Sequence, residues 1–258
     1  LVTALSPTSG QGGTRVTIAG VALTGDGSTI SSVELDGIAA ASIVSQSATQ
    51  VVVVADDRNN GDTQTGTITL NLADGSSIVS VGLSDGSEVH QFTYEVAGAI
   101  TEVIPSQGQA DAVVTITGTE LFGYGDSLSS VTLAGVEVGS IVSSNSTYVV
   151  VEAGVSNATS AGAVTLVSNT GSTVTVATSF TYVGVGVITE LSPSSGQQNT
   201  RVTISGTDLL SGANSLSNAT LGGVEAEVAS VSSTAVVVIA DAGITAGLGD
   251  VVLSSSNG

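Results

Sequence analysis

The densest group of side chains that could do chemistry lies at residues 55–62, which read ADDRNNGD. Four of them could supply oxygen ligands: Asp56, Asp57, Asn59 and Asp62. Several oxygens held together by a sharp turn are what a hard cation such as calcium requires. The stretch lacks the twelve-residue spacing and the final glutamate of an EF-hand loop. It therefore predicts either a local calcium site or an ordinary acidic turn whose charge Arg58 partly offsets.

Residues for catalysis are scarce. His90 is the single histidine, so a Ser-His-Asp triad could be built only around it. The chain has no cysteine, which excludes a thiol nucleophile, a thiolate metal site and a disulfide framework. Paired carboxylates for glycoside hydrolysis are conceivable among the 22 Asp and Glu residues, but no fixed pair stands out. We interpret His90 as a strand residue and predict no catalytic residues, no cofactor other than calcium, and no enzymatic activity.

Three sequons could accept N-linked glycans: Asn145 in NST, Asn157 in NAT and Asn218 in NAT. Each would need a surface position and a secretory route. Asn145 and Asn157 are predicted in loops on either side of a valine-rich strand, and Asn218 just before another strand. Sequons also arise by chance in a chain rich in Asn, Ser and Thr, so both interpretations stay open, as does O-glycosylation.

Charge and hydropathy exclude two classes of partner. The 258 residues include 3 arginines and no lysine, for a formal net charge of −19, so no basic surface is predicted to bind nucleic acid or anionic membranes. The longest apolar runs, such as residues 51–55, fall far short of the roughly 20 apolar residues that span a bilayer. We therefore predict no nucleic acid partner and no membrane insertion in this segment. The chain does not begin with Met and is interpreted as a mature or excised piece of a longer protein.

The sequence contains one long pattern three times. It opens as LSPTSGQGGTRVTIAG, VIPSQGQADAVVTITG and LSPSSGQQNTRVTISG, from Leu5, Val103 and Leu191 respectively. The three prolines lie 98 and 88 residues apart, a period that indicates tandem domains rather than solenoid turns of about 20 to 50 residues. We predict domains at residues 1–97, 98–185 and 186–258. Each is close to the roughly 100 residues of an immunoglobulin-type sandwich.

Each repeat is predicted to fold as β-strands. Valine and isoleucine alternate with threonine after each opening, and this period of two places one set of side chains on a core face. Further β-branched strands follow, including the valine run that ends at Val54. Helix-spaced leucines are missing, so we expect little or no helix.

The first two repeats end with FTY, at residues 92–94 and 180–182. The last residues of the third repeat, 256–258, match residues 169–171, so its closing strand is absent from these residues. An uncovered strand position leaves core side chains and backbone groups unpaired. Either the polypeptide continues beyond Gly258, or another subunit donates a strand.

The order of these motifs resembles the IPT/TIG family. The resemblance rests on SPxSG followed by VTIxG, a turn-bounded VxLxG, a serine-rich run into VVV, and a terminal FTY. It covers essentially the whole chain as three units. It implies an all-β chain of early-set immunoglobulin-like sandwiches, the third lacking its last strand. Transcription factors of that family use basic loops, which this sequence lacks, so the resemblance favours the tandem type found on cell surfaces.

We therefore expect a non-catalytic extracellular or cell-surface structural or adhesive protein, built as a rod, stalk or filament. Very short links between repeats favour a stiff array. Its partners would be other proteins or copies of itself, and a donated strand would give a head-to-tail filament. Two alternatives stay open: a receptor module that binds protein or carbohydrate, and an accessory region of a secreted enzyme.

Overall fold

The computed structural model describes residues 1–25, 27–58, 61–80, 90–156, 159–243 and 247–256. Across these residues the regular structure is strand, with no helix, which confirms the all-β prediction. Nothing in this part of the chain is a helix with the length and apolarity needed to cross a bilayer.

Unit one is a sandwich of two sheets. One sheet has the order β1-β3-β7-β6, and the other the order β2-β10-β8-β4-β5, with β9 also paired to β8. Its strands are β1 (Val2–Ser6), β2 (Ser9–Gly10), β3 (Arg15–Gly20), β4 (Ile30–Leu35), β5 (Ile38–Ala39), β6 (Ser42–Gln46), β7 (Gln50–Val54), β8 (Gln64–Leu72), β9 (Ser77–Val79) and β10 (Gln91–Tyr94).

Unit two repeats this plan. Its sheets have the orders β11-β13-β17-β16 and β12-β19-β18-β14-β15, where β19 carries the closing FTY. Its strands are β11 (Ala99–Ile104), β12 (Gln107–Gly108), β13 (Val113–Thr119), β14 (Leu128–Leu133), β15 (Val136–Glu137), β16 (Ser140–Ser144), β17 (Tyr148–Glu152), β18 (Ser160–Ser168) and β19 (Thr173–Tyr182).

Unit three differs in how its strands connect. They form one path in the order β20-β21-β24-β23-β22-β25, because β23 pairs first with β22 and then with β24. Its strands are β20 (Val187–Ser192), β21 (Arg201–Thr207), β22 (Leu216–Leu221), β23 (Val224–Val231), β24 (Ala235–Ala240) and β25 (Val251–Ser255). The exact domain boundaries stay predictions.

The cores follow from the alternation in the sequence. Val16 and Ile18 are fully buried and the intervening Thr17 lies toward the surface, and the same pattern recurs in β13 and β21. The closing strands supply the largest side chains. Phe92 and Tyr94 meet edge to face with ring centroids 5.0 Å apart, a favoured aromatic geometry. Phe180 and Tyr182 repeat the contact at 5.1 Å.

Glycines recur where the first strand of each unit pairs with its antiparallel neighbour, which is β3, β13 or β21. A Cβ at Gly118 would collide with the carbonyl oxygen of Ala99, and Gly20 and Gly206 meet the equivalent carbonyls of Leu1 and Val187. Because only glycine permits this close approach, the final glycine of the repeated VTIxG motif is explained by the packing of the two strands.

Candidate functional site

Arg58, in the acidic loop of unit one, contacts three residues outside that loop. The guanidinium forms an ion pair with Asp36 and also donates a hydrogen bond to the side chain of Gln64. Its central carbon lies 5.9 Å from the centre of the Tyr94 ring, within range of a cation–π contact. The charge of Arg58 is therefore paired with Asp36, in the turn between β4 and β5.

The structure describes three of the four residues predicted to bind calcium. Asp56, Asp57 and Asp62 are exposed, and Asn59 lies outside the described residues. Among the described residues, no three His, Cys, Asp or Glu side chains converge closely enough to hold a metal. Calcium binding at this loop stays a prediction.

The surroundings of Tyr94 alter its acidity. Burial favours the neutral phenol and, with a smaller contribution from the Asp56 carboxylate, raises the pKa of Tyr94 to about 12. Burial likewise raises the pKa of Tyr182, the equivalent residue of unit two. Both hydroxyls thus stay protonated at neutral pH.

Asn145, the first of the three sequons, accepts three hydrogen bonds through its side-chain oxygen. Its Oδ1 accepts hydrogen bonds from the backbone N–H groups of Thr147 and Tyr148, each at 2.8 Å, and from Thr147 Oγ1 at 2.9 Å. These bonds form a turn at the start of β17 and engage the side-chain oxygen, while the residue is partly exposed. The acceptor atom for a glycan would be the side-chain nitrogen.

The other two sequons differ. Asn157 lies outside the described residues. Asn218 was expected just before a strand, but it lies inside β22, paired with Ser254, because the strand begins at Leu216. Its Oδ1 is buried and has no hydrogen-bond partner within the described part of the chain. Modification at the three asparagines stays a prediction.

His90 immediately precedes β10 and is only partly buried. Its backbone carbonyl accepts a hydrogen bond from Ser80 Oγ at 2.6 Å, and Ser80 Oγ in turn accepts one from the Ile68 N–H at 2.8 Å. These contacts give the backbone of His90 a part in holding the sheet together.

The first joint, between units one and two, is built around Gln11. This side chain is only 4% exposed. Its Nε2 donates to the carbonyl of Thr173 at 2.9 Å, and its Oε1 accepts from the N–H of Gly98 at 2.7 Å. One amide thus bridges the link between the units and the first residue of β19.

Backbone contacts reinforce the first joint. The N–H of Arg15 donates to the carbonyl of Thr170 at 2.8 Å, which ties β3 of unit one to the β18–β19 turn of unit two. Ser172 in the same turn is 1% exposed and donates from Oγ to the Gly123 carbonyl at 2.8 Å. The turn is therefore fixed on both sides.

The second joint, between units two and three, has a different set of contacts. Gln107 Nε2 donates to the carbonyl of Gly212 at 2.9 Å. Beside this bond lies a groove of about 200 Å³, lined in part by Val183 and Asp208. Gln109 occupies the repeat position of Gln11, yet its Oε1 is buried without a hydrogen-bond partner among the described residues. The second joint is less completely bonded than the first.

Sequence reasoning missed Gln11. The signal was present, because each repeat opening carries a glutamine at the same position: Gln11, Gln109 and Gln197. Its role depends on the following unit lying against it, which a repeat pattern alone does not reveal.

Comparison with known proteins gives one family. The IPT/TIG domain model matches residues 1–93, 99–182 and 187–258. No curated protein matches the sequence at a significant level.

Solved structures align over most of the chain at low identity. Two structures of the plexin A4 extracellular region share 21% and 17% identity over 93% and 91% of this chain, with TM-scores of 0.48 and 0.43. The chain spans only 21% and 30% of those plexin chains. SGBP-B of the Bacteroides ovatus mixed-linkage glucan utilization locus, solved with a heptasaccharide, shares 17% identity over 74% of this chain and 45% of its own, with a TM-score of 0.28.

Proposed function

The chain belongs to the IPT/TIG domain family, and from this premise we propose that it is a non-catalytic, extracellular structural or adhesive array. Its sandwich units are joined end to end as a stiff rod or stalk. The observation that carries this proposal is the buried Gln11 amide, which bonds both the link and the body of the next unit.

Stiffness at the first joint follows from these bonds. Bending there would separate the Gln11 amide from the Thr173 carbonyl and the Arg15 N–H from the Thr170 carbonyl. Each such bond contributes only about 1 kcal/mol net, but a buried polar group left unpaired costs about 1–3 kcal/mol. A partly opened joint would leave these polar groups buried and unpaired. Its free energy is therefore higher than that of the closed joint or of a fully opened joint in which water bonds the same groups.

The link itself also restricts motion. Only residues 95–98 separate β10 from β11, and a Cβ at Gly98 would collide with the carbonyl of Glu120. So short a link, packed against the following unit, leaves little freedom for the units to swing independently.

The charge suits an extended soluble array. A net charge of −19 keeps copies apart in solution, and salt screens that repulsion beyond about 8 Å at physiological ionic strength. We propose that partners, either other proteins or copies of this chain, contact the repeated edge strands β6 and β16 and the loops at the joints.

We propose an extracellular setting, in which the exposed turn at Asn145 could carry a glycan if the chain passes through a secretory route. The receptor alternative has less support. The groove of about 250 Å³ between β11 and β19 is lined by apolar residues, by Ser and Thr side chains and by Glu102, with no aromatic ring on which a sugar could stack.

Electron microscopy of the full chain tests the proposal. We expect elongated particles in which units one and two keep a constant angle. Particles in which these two units take many relative orientations would contradict the rod.

A further inference from the structure

We propose that two copies of the chain associate through the outer faces of two of their sheets. The first is the sheet β1-β3-β7-β6 of unit one, and the second is the sheet β11-β13-β17-β16 of unit two. The unit one face of one copy packs on the unit two face of the other. This inference rests on the proposed function, which includes contacts between copies, but it does not require a stiff joint.

The two sheets carry charges of opposite sign. In the four strands of the unit one sheet, the one charged residue is Arg15, at the start of β3. In the four strands of the unit two sheet, the charged residues are Glu102 and Glu152, and these strands contain no cation. A sheet without acids stands out in a chain that has 22 acidic and 3 basic residues. The two faces are therefore electrostatically complementary.

Arg15 and Glu152 both lie on the outer faces of their sheets. Arg15 precedes Val16 in β3 and Glu152 follows Val151 in β17, and both of these valines are fully buried. Because successive side chains of a strand point to opposite faces, both charges point away from the cores, and both residues are exposed. Glu152 accepts a hydrogen bond from Ser140 Oγ at 2.9 Å. Within the part of the chain that the structure describes, neither charge forms an ion pair.

Strand β7 of the unit one sheet is apolar on both of its faces. It reads QVVVV, in which Val51 and Val53 are fully buried in the core while Val52 and Val54 lie on the outer face and are half-buried. An antiparallel strand with one face in water normally alternates apolar and polar residues. The outer valines therefore favour a face that a second sheet covers, as the two sheets of a sandwich cover each other.

Unit two presents larger apolar side chains to such a contact. Ile104 is 56% exposed and Tyr148 is 41% exposed. The register places both on the outer face, because Ile104 pairs with Thr115 and Tyr148 with Thr117, and these threonines alternate with the buried residues of β13. The repeat position of Ile104 is occupied in unit one by Ser6, so the unit one face is lower at that point.

A second copy of the chain is the partner that this chemistry selects, because one chain carries both of the complementary faces. Each face consists of four strands of about five residues and covers about 300 Å². A stable complex buries roughly 800 Å² on each partner, so a single contact of this size gives a weak and reversible association.

Sedimentation equilibrium of the full chain at physiological ionic strength tests the contact, at protein concentrations from about 10 μM to about 1 mM. We expect the mean mass to rise with concentration. Arg15→Glu and Glu152→Arg should each weaken association at least about tenfold, because each substitution places like charges opposite one another. The two substitutions together should restore association to within about threefold, since the pair is then reversed rather than lost.

Two comparisons separate this contact from a general effect of charge. Glu152→Arg adds two positive charges to a chain of net charge −19, so it would strengthen an association that depended on net charge alone. Arg201→Glu is the matched control for Arg15→Glu. It lies at the same repeat position in unit three, is exposed and changes the net charge equally. It should alter association by less than about threefold.

Four results would overturn the proposal. The first is a chain that stays monomeric up to about 1 mM. The second is stronger association of Glu152→Arg, and the third is a combined variant that associates no better than the single ones. The fourth is a loss in Arg201→Glu equal to that in Arg15→Glu. None of these results contradicts the rod, which particle shape in electron microscopy tests separately.

Discussion

Gln11 is the residue on which the first joint depends most directly. We predict that Gln11→Ala speeds amide exchange at Gly98 and lowers the free energy of separating the units by about 1–3 kcal/mol, because two buried bonds are lost. Hydrogen exchange followed at Gly98 measures this change.

Gln197→Ala is the matched control for that experiment. Gln197 has the same position in the repeat but is exposed. Its substitution should leave the exchange rate at Gly98 unchanged. Equal effects of the two substitutions would show that Gln11 does not hold the joint.

Tyr94 makes the stability of unit one sensitive to alkali. Its folded pKa of about 12 lies above the ordinary value near 10, so the unfolded state ionises first as the pH rises. The stability from the neutral phenol is therefore complete below pH 10 and is lost progressively toward pH 12.

We expect Tyr94→Phe to weaken this alkaline loss in unit one, because the phenylalanine ring stays buried and cannot ionise. Melting temperatures of both proteins, measured between pH 8 and about 12, provide the comparison. Parallel pH profiles would contradict the assignment to Tyr94.

The calcium prediction at Asp56, Asp57, Asn59 and Asp62 is tested by chelation. Binding to the folded loop alone would raise the melting temperature of unit one above that of a calcium-stripped chain. Asp56→Asn with Asp62→Asn should abolish the increase. Melting that does not respond to chelator or added calcium would remove the prediction.

For individual residues, the sequence showed which positions recur in the repeats but not which contacts those residues make in the fold. The glutamine and glycine positions were visible because they recur in all three units. That Asp36 pairs with Arg58 was not visible, because 22 residues separate them and the fold brings them together.

Among the strands, the close approach of β11 to β13 at Gly118 leaves no room for a side chain. We predict that Gly118→Ala destabilises unit two by about 1–3 kcal/mol, because the added methyl group collides with the Ala99 carbonyl and the two strands must move apart. Urea unfolding measures the loss.

Gly139→Ala provides the comparison within the same unit. A Cβ there lies 3.6 Å from the nearest carbonyl oxygen, an ordinary contact. We expect a change of less than about 0.5 kcal/mol, typical of a surface substitution. Equal losses in the two variants would refute the collision.

Alternation predicted the strands that line the cores but not the outer ones. Strands β6 and β16 lack a buried face and contain a bulge between Ile43 and Ser45 and between Ile141 and Ser143. A bulge interrupts the period of two, so the sequence carries no clear strand signal there. These strands form through pairing with β7 and β17.

At the scale of the whole molecule, the repeats predicted three sandwiches but not how they meet. The repeated openings are similar, yet the first joint uses Gln11 and the second uses Gln107. The difference arises because the β18–β19 turn of unit two reaches back to unit one. Joint geometry is therefore a tertiary property that the repeat pattern does not encode.

The most direct test of the account is the distance between units one and two. The chain has no cysteine, so Ser45→Cys and Ser143→Cys, both exposed, allow one pair of spin labels for double electron–electron resonance. The account predicts one narrow distance distribution, which Gln11→Ala broadens and Gln197→Ala does not. A broad distribution in the otherwise unaltered chain would contradict a stiff array.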